Sequence, residues 1–363
     1  MKFSIYSEVQ SWPGKSYGQL YGEVLEQIEN ADRLGYDAYA VIEHLFFPKF
    51  SASANVFGLF GIAAARTKQI KFRTMLHILP YHNPLVLAAQ VHEFAILTGD
   101  RYEFGVGRGH GWIPLPAGLP LDESSRARYE EALDLFVEAL HNPVVNFHGE
   151  YWNVEGSHII PWERRKFRVI LGGTSDKTYE LAAQHGWGVA VPPLLPYAAL
   201  KDQLDLCRER CAAHGTTPDI VWIHACYIDE DRELAKREAE RHLRGFLEGN
   251  ASPLTEHEPP PADALNKAGY GFYASGIMEK LAATPYDEMI DGDIVWVGTP
   301  DDVIKRVEET IQVCDGLTEI AITANPGGVD HWKAIKAQEL FAQHVIPHFN
   351  CARAEQPTTA AVA

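Results

Sequence analysis

Apolar and polar positions along this chain repeat with two periods, and the two periods take turns. Lys2 to Tyr6 is a short strand-like run. Tyr17 to Leu34 then sets Leu20, Val24, Ile28, Ala31 and Leu34 on one face at helical spacing, and Gly35 stops it. The exchange continues with strands at Asp37 to Ile42, Ile70 to Leu76 and Tyr102 to Val106, and helices at Asn55 to Thr67, Leu85 to Leu97 and Ser124 to Leu140. Val144 to Ile160 reads as a β-hairpin turning at His148-Gly149. Strands follow at Phe167 to Leu171, Trp187 to Val191 and Ile220 to Ile228, with helices at Ser175 to Gln184, Pro196 to Ala213 and Asp231 to Phe246. The chain closes with a short strand at Ile294 to Val297, a helix at Asp301 to Val313, a strand at Leu317 to Thr323 and a helix at Trp332 to Val345.

About eight strand–helix repeats, with no shift of composition to mark a linker, predict a parallel sheet. Eight units over this length favour a closed (β/α)8 TIM barrel with insertions over an open doubly wound sheet. Residues 1–348 make one domain in this reading. Residues 248–292 break the pattern: Pro259 to Pro261 interrupt it, and Gly269, Gly271 and Gly276 alternate with Tyr270, Phe272 and Tyr273. A segment of this length inside an α/β domain is expected to be a lid or binding insertion. The small polar residues of 349–363 are expected to form a disordered tail.

Composition narrows the classes of function. Of 363 residues, 46% are hydrophobic, enough for a large core. The net charge of −17 argues against nucleic acid and anionic membrane as main partners. No apolar run is long enough to span a membrane, and the first residues lack an apolar signal core. Five scattered cysteines, with Cys207 and Cys211 one helical turn apart, fit a reducing cytoplasm without a disulfide framework.

In a barrel, ligands sit at the C-terminal ends of the strands, so those ends are taken together. They read Tyr6-Ser7-Glu8, Glu43-His44, Met75-Leu76-His77, Gly107-Arg108-Gly109-His110 and Gly172-Gly173-Thr174-Ser175, mostly polar, titratable or glycine. The fourth lies in RYEFGVGRGHG, with glycines at alternate positions around Arg108 and His110. An arginine among glycines at a strand end can hold an anion such as a phosphate; the same residues fit a tight turn with a solvated arginine. In GGTSDKT, two glycines precede Thr174 and Ser175 at a helix start with Thr178 one turn in, which suits a phosphate cradle or a plain N-cap. His44 can act as acid, base or donor near neutral pH, and Glu43 beside it starts on the opposite face. His77, His82, His92 and His110 show no metal-ligand spacing.

In order and spacing, the pieces YDAYAVIEH, FRTMLHILPYHNP, GDRYEFGVGRGH, GGTSDKTYELAAQHG and WVGTPDDV resemble the bacterial luciferase-like, flavin-dependent monooxygenases across roughly residues 1 to 348. The resemblance implies a (β/α)8 barrel that binds FMN, usually as loosely held reduced flavin (FMNH2). It implies that Arg108 binds the flavin phosphate with Thr174, Ser175 and Thr178, beside Gly172 and Gly173. Glu43, Gly107, Gly109 and His110 would lie near the isoalloxazine ring, and Met75-Leu76 falls where a non-prolyl cis peptide often supports it. His44 matches the catalytic histidine of several members. Gly107 replaces the cysteine of luciferase itself, which argues against light emission, leaves oxygenation intact and would open room beside the ring.

The family's chemistry, a peroxide at the flavin C4a carbon formed with O2, needs water excluded and a substrate held close. Leu45 to Phe50 and the 248–292 insertion are expected covers, and Tyr6, Phe46 and Trp112 expected pocket residues. The resulting expectation is a two-component monooxygenase acting on a small organic substrate such as an aldehyde or ketone, with reduced FMN supplied by a separate NAD(P)H-dependent flavin reductase. No G-x-G-x-x-G fingerprint opens a helix, since the sixth position of GVGRGHG is His110. The alternatives are a deazaflavin (F420)-dependent hydride-transfer enzyme of the same fold and a flavin-binding protein without catalysis. A barrel lyase or aldolase would want a lysine or metal cluster at the strand ends. The apolar helices Asn55 to Thr67 and Leu85 to Leu97 predict a homodimer interface.

Overall fold

Eleven strands form in the computed structural model, which describes residues 1–173, 175–276, 280–281, 283–323 and 325–354. They are β1 Lys2–Ser7, β2 Ala38–Val41, β3 Lys71–Ile78, β4 Tyr102–Gly107, β5 Val144–His148, β6 Asn153–His158, β7 Val169–Gly172, β8 Gly188–Val191, β9 Ile220–Ile228, β10 Val295–Gly298 and β11 Leu317–Thr323. Eight of them, in the order β1, β2, β3, β4, β7, β8, β9, β11 and back to β1, pair in parallel and close a barrel. The hairpin β5–β6 stands apart. The late strand β10 is not a stave. Strand β9 has nine residues and β8 only four, so β8 covers Ile220 to Trp222 and leaves Ala225 to Ile228 free to pair with β10.

The helices between the strands are α1 Tyr17–Leu34, α2 Val56–Arg66, α3 Pro84–Leu97, α4 Ser124–His141, α5 Asp176–His185, α6 Tyr197–His214 and α7 Arg232–Thr255. The local signals that start and stop them are visible in α1. Ser16 and Gln19 exchange hydrogen bonds as a capping box, and Gly35 at φ 81° ends the helix. Helix α7 runs nine residues past Phe246, where the apolar period gives out. Close backbone approach carries it on: a Cβ on Gly249 would lie 2.3 Å from Gln10 Nε2 and 2.8 Å from Lys49 O. Four residues earlier, a Cβ on Gly245 would lie 2.9 Å from Gly327 O. This stretch packs on polar loop groups, so hydrophobic periodicity does not report it.

Residues 248–292 hold the end of α7 and short helices at Ala262–Lys267, Gly271–Ala274 and Tyr286–Asp291. Leu265, Ala268 and Tyr270 form a small apolar cluster of their own, packed with Leu121 and Tyr273. The chain stays helical past the boundary expected at 348. A π-turn at Phe341–Val345 leads into a helix at Ile346–Ala354, whose Phe349 ring sits 5.7 Å from that of Phe3. Positions 355–363 of the expected tail lie outside the described residues. No described helix is long and apolar enough to cross a membrane.

The N-terminal mouth of the barrel is plugged by paired charges. Arg73 donates from Nε to Glu103 Oε2 at 3.0 Å and from Nη1 to Glu319 Oε1 at 2.6 Å. Arg168 reaches Glu319 Oε2 at 2.5 Å and Asp219 Oδ2 at 2.8 Å, and Ser4 Oγ donates to Glu319 at 2.5 Å. Burial opposes ionisation of Glu103 and Glu319, and Arg73 and Arg168 overcome it, holding both carboxyls below the usual range.

Candidate active site

The alternating glycines of strand β4 make a slot for Leu76. An ideal Cβ would lie 2.6 Å from a Leu76 methyl at Gly105, 2.7 Å at Gly107 and 2.0 Å at Gly172 on the next stave. Gly107 was expected to open room beside a ring; that room is filled by Leu76, and Gly107 does not line the cavity. Gly109 turns the chain at φ 75°, and Gly111 lets Leu265 and Tyr270 of the covering segment approach. The Met75-Leu76 peptide is cis.

A cavity of about 530 Å³ opens at the C-terminal mouth. Of the expected residues it is lined by Tyr6, Met75, Leu76, Trp112, and the two glycine segments through Arg108, Gly109, His110, Gly172, Gly173, Ser175 and Thr178. Thr174 lies outside the described residues. Phe46 does not line the cavity. Its backbone turns at φ 72° and puts the ring, 47% exposed, edge-on to Tyr81. Phe50, four residues on and 1% exposed, supplies the wall instead.

Glu43 and His44 sit one layer behind that wall. The Glu43 N–H donates to Leu76 O at 3.3 Å, and its Oε2 accepts from the Ile78 N–H at 3.0 Å and from His82 Nε2 at 2.7 Å. Glu43 thus ties the Leu76 segment to strand β2. Burial opposes its ionisation, but His77 and His82 hold the carboxyl at about 2. The three ligand-type atoms of Glu43, His77 and His82 lie within 4.8 Å of one another, a grouping that their sequence spacing did not disclose. The ring of His44 packs 4.3 Å from Phe50 and 5.7 Å from His110, and neither nitrogen has a hydrogen-bond partner. His110 stacks on Trp112 at 4.6 Å. Burial pushes both imidazoles down, His44 well below its usual range and His110 to about 4, so both are neutral near pH 7.

The other end of the cavity is cationic. Ser175 caps α5, accepting from the Thr178 N–H at 3.3 Å, and Lys177, Arg108 and Arg126 line the cavity with it, outnumbering the carboxylate Glu130, which lies 3.7 Å from Arg126. Arg108 is not a solvated side chain. It donates to Gly269 O at 3.3 Å and Ala268 O at 2.5 Å, its guanidinium lies 4.0 Å over the Tyr270 ring, and its Nε is buried without a partner.

Residues 1–314 match the family described as luciferase-like monooxygenase. The chain belongs to that family. It is 24% identical over 333 residues to the 5,10-methylenetetrahydromethanopterin reductase of Archaeoglobus fulgidus, covering 90% of this chain and 96% of that protein. It is 22% identical over 344 residues to the alkanal monooxygenase alpha chain of Photobacterium leiognathi, covering 93% and 95%. The oxygenating constituent of 3,6-diketocamphane monooxygenase from Pseudomonas putida, solved in complex with FMN, shares the fold at a TM-score of 0.75 and 20% identity, covering 96% of this chain and 98% of that one.

In this luciferase-like monooxygenase Glu8, legible as a strand-end residue but without a role, and Asn250, which hydrophobic periodicity did not mark, also line the cavity. Glu8 stands at the end of β1 and is 4% exposed. Its Oε2 accepts from Asn250 Nδ2 at 2.9 Å and Gln10 Nε2 at 3.2 Å, and its Oε1 lies 3.3 Å from the Tyr6 hydroxyl. Burial pushes the Glu8 carboxyl up to about 8. Asn250 arrives only because α7 continues past Phe246, and the paired Gly245 and Gly249 were the available signal of that close packing.

Proposed function

We propose that this protein is the oxygenase of a two-component system, using reduced FMN from a separate NAD(P)H-dependent reductase, and O2, to oxygenate a small neutral aldehyde or ketone. One observation carries the reading: a single cavity joins a cationic, hydroxyl-bearing helix start to a buried aromatic end. The residues fit FMN. A Cβ on Gly173 would crowd Thr178 Oγ1 at 3.0 Å, so the loop is open only with glycine there, and the orphaned Nε of Arg108 is a donor without an acceptor. Gly173, Ser175 and Thr178 would hold the phosphate at the α5 N-terminus, with Arg108 and Arg126 balancing its charge. Met75, Leu76, Gly109 and Gly172 would carry the ring, with Gly107 and Glu43 supporting Leu76 from beneath and behind. Bound reduced FMN supplies the electrons that activate O2.

This chain's own residues do the rest. Phe50, Trp112, Tyr6 and Tyr273 exclude water from the far end. His110 presents a neutral imidazole at the wall that can accept a proton, and the His44 ring lies behind it at 5.7 Å, tilted by 56°. The test is to mix the protein with reduced FMN, air and a panel of aldehydes and ketones. Substrate-dependent oxygen uptake with a product one oxygen heavier is expected; oxygen uptake indifferent to every substrate would sink the reading. The similarity to the archaeal reductase favours a second reading, hydride transfer with a deazaflavin. Substrate reduction by reduced F420 without oxygen uptake would support that one.

The outer faces of α2 and α3 leave Ile62 50%, Val86 54% and Leu97 75% exposed. A homodimer would cover them. Light scattering that finds only monomer would refute it.

A further inference from the structure

We propose that Tyr6, Glu8 and Asn250 form the polar subsite of the cavity, one that hydrogen-bonds the carbonyl oxygen of a neutral ketone or aldehyde and discriminates against carboxylates. The inference rests on the cavity being the substrate site of the proposed oxygenase. Its first support is placement. Ile42, Phe50, Trp112 and Ile223, with Tyr273 against them, form one apolar cluster that walls the cavity, and Tyr6, Glu8 and Asn250 bring polar atoms to the same lining. An apolar pocket with a few converging polar groups fixes its ligand through them.

The second support is the state of the carboxyl. Among the described residues the other buried carboxyls have cationic or imidazole partners: Glu43 has His82, Glu103 and Glu319 have Arg73, and Asp229 has Lys336. Glu8 has two amides and a phenol. The groups facing it are Tyr6 and Gln10 from the β1 end and Asn250 from α7, while Tyr273 of the covering segment faces Tyr6; none is a cation. Burial without a balancing charge keeps the acid protonated at pH 7, with a midpoint pushed up to about 8. Both amide N–H donors use Oε2, and Oε1 accepts only the longer 3.3 Å contact from the Tyr6 hydroxyl, which makes Oε1 the oxygen with room for the O–H. A neutral carbonyl oxygen accepts from that O–H. A carboxylate would have to leave water for an apolar wall in which none of the groups facing Glu8 is a cation to balance its charge.

The experiment uses the full-length protein, Glu8→Gln and Glu8→Leu, with cyclohexanone, 2-octanone, decanal and cyclohexanecarboxylate as probes. Turnover with reduced FMN and air is followed beside calorimetric binding to the unloaded protein. Cyclohexanone is expected to bind at least about tenfold more tightly than cyclohexanecarboxylate. Glu8→Leu is expected to raise KM for the ketone about tenfold with kcat changed less than about threefold, the signature of lost substrate binding. Glu8→Gln keeps a donor, so it should stay within about threefold of the parent at pH 7 and remove the loss of ketone affinity that the parent shows above pH 8. Unchanged KM in Glu8→Leu, a parent-like pH profile in Glu8→Gln, or no binding of any neutral probe to the parent protein overturns the inference. Should Glu8→Leu fail to fold, the pH profiles of parent and Glu8→Gln decide alone. If the ketones bind in this Glu8-dependent way while oxygen uptake ignores them, the oxygenase reading falls and the subsite stands.

Discussion

The two mouths of the barrel treat buried polar groups in opposite ways. At the N-terminal mouth every charge in the Arg73–Glu103–Glu319–Arg168–Asp219 group meets an opposite one, and burial strengthens the pairing. At the C-terminal mouth His44 has no hydrogen-bond partner on either nitrogen, His110 and Glu8 are neutral near pH 7, and Arg108 keeps an unpartnered Nε. The same staves carry both ends: Ser4 and Glu8 belong to one strand and its exit, Arg73 and Leu76 to another. The difference separates two uses of polarity. A saturated network holds staves in register, whereas unsatisfied groups around a cavity keep capacity for a ligand.

The largest effect should come from breaking the saturated end. Arg73→Met leaves Glu103 and Glu319 buried with one cation fewer, and should cost about 3–5 kcal/mol in urea unfolding while leaving KM of the folded fraction unchanged. A loss below about 1 kcal/mol would deny the N-terminal mouth its anchoring role.

Acid titration then isolates the other end. His110 has its folded value lowered from 6.5 to about 4, so the native state binds fewer protons than the unfolded chain. Its contribution is complete above pH 6.5 and is lost as pH falls through 4, amounting to about 3 kcal/mol. The Glu103 carboxyl, lowered from 4.5, loses its contribution only below that value, so the window from 6.5 to 4.5 reports the buried histidines, His224 and His242 among them, and His110 is the described one that lines the cavity. His110→Phe should reduce the stability slope there, leaving the share of the other buried histidines; a slope identical to the parent's would show that His110 does not titrate with folding.

The smallest effect sharpens the role of a glycine. Gly107→Ala should push Leu76 toward the cavity, costing about 1–2 kcal/mol in thermal or urea unfolding and weakening reduced FMN binding a few-fold. Weaker flavin binding with no loss of stability would return Gly107 to the role of making room for the ring.

Much of the architecture was legible because it rests on local signals. Helix α1 and strands β9 and β11 fall on the residues that periodicity marks, since a cap, a glycine stop or an unbroken apolar run is written within the segment. The glycine-rich ends of β4 and β7 were legible as a site, because an arginine and a helix start after strand glycines suit an anion wherever they occur. The rest was settled by partners distant in sequence. Phe46 and Phe50 are equally aromatic, and only the turn at Phe46 decides which ring enters. Gly107 reads as open space until Leu76, 31 positions earlier, fills it.

By itself the sequence determined the alternation of strand and helix, hence a parallel barrel, and the residue types gathered at its strand ends, because propensity, capping and periodicity act over a few neighbouring residues. Only the tertiary structure decided that β10 lies outside the ring of staves, that Leu76 occupies the glycine slot, and that Glu8 meets Asn250 across 242 positions as a neutral acid. A carboxyl's charge depends on what surrounds it in space, and burial without a cation is a property of the assembled mouth rather than of any stretch of chain.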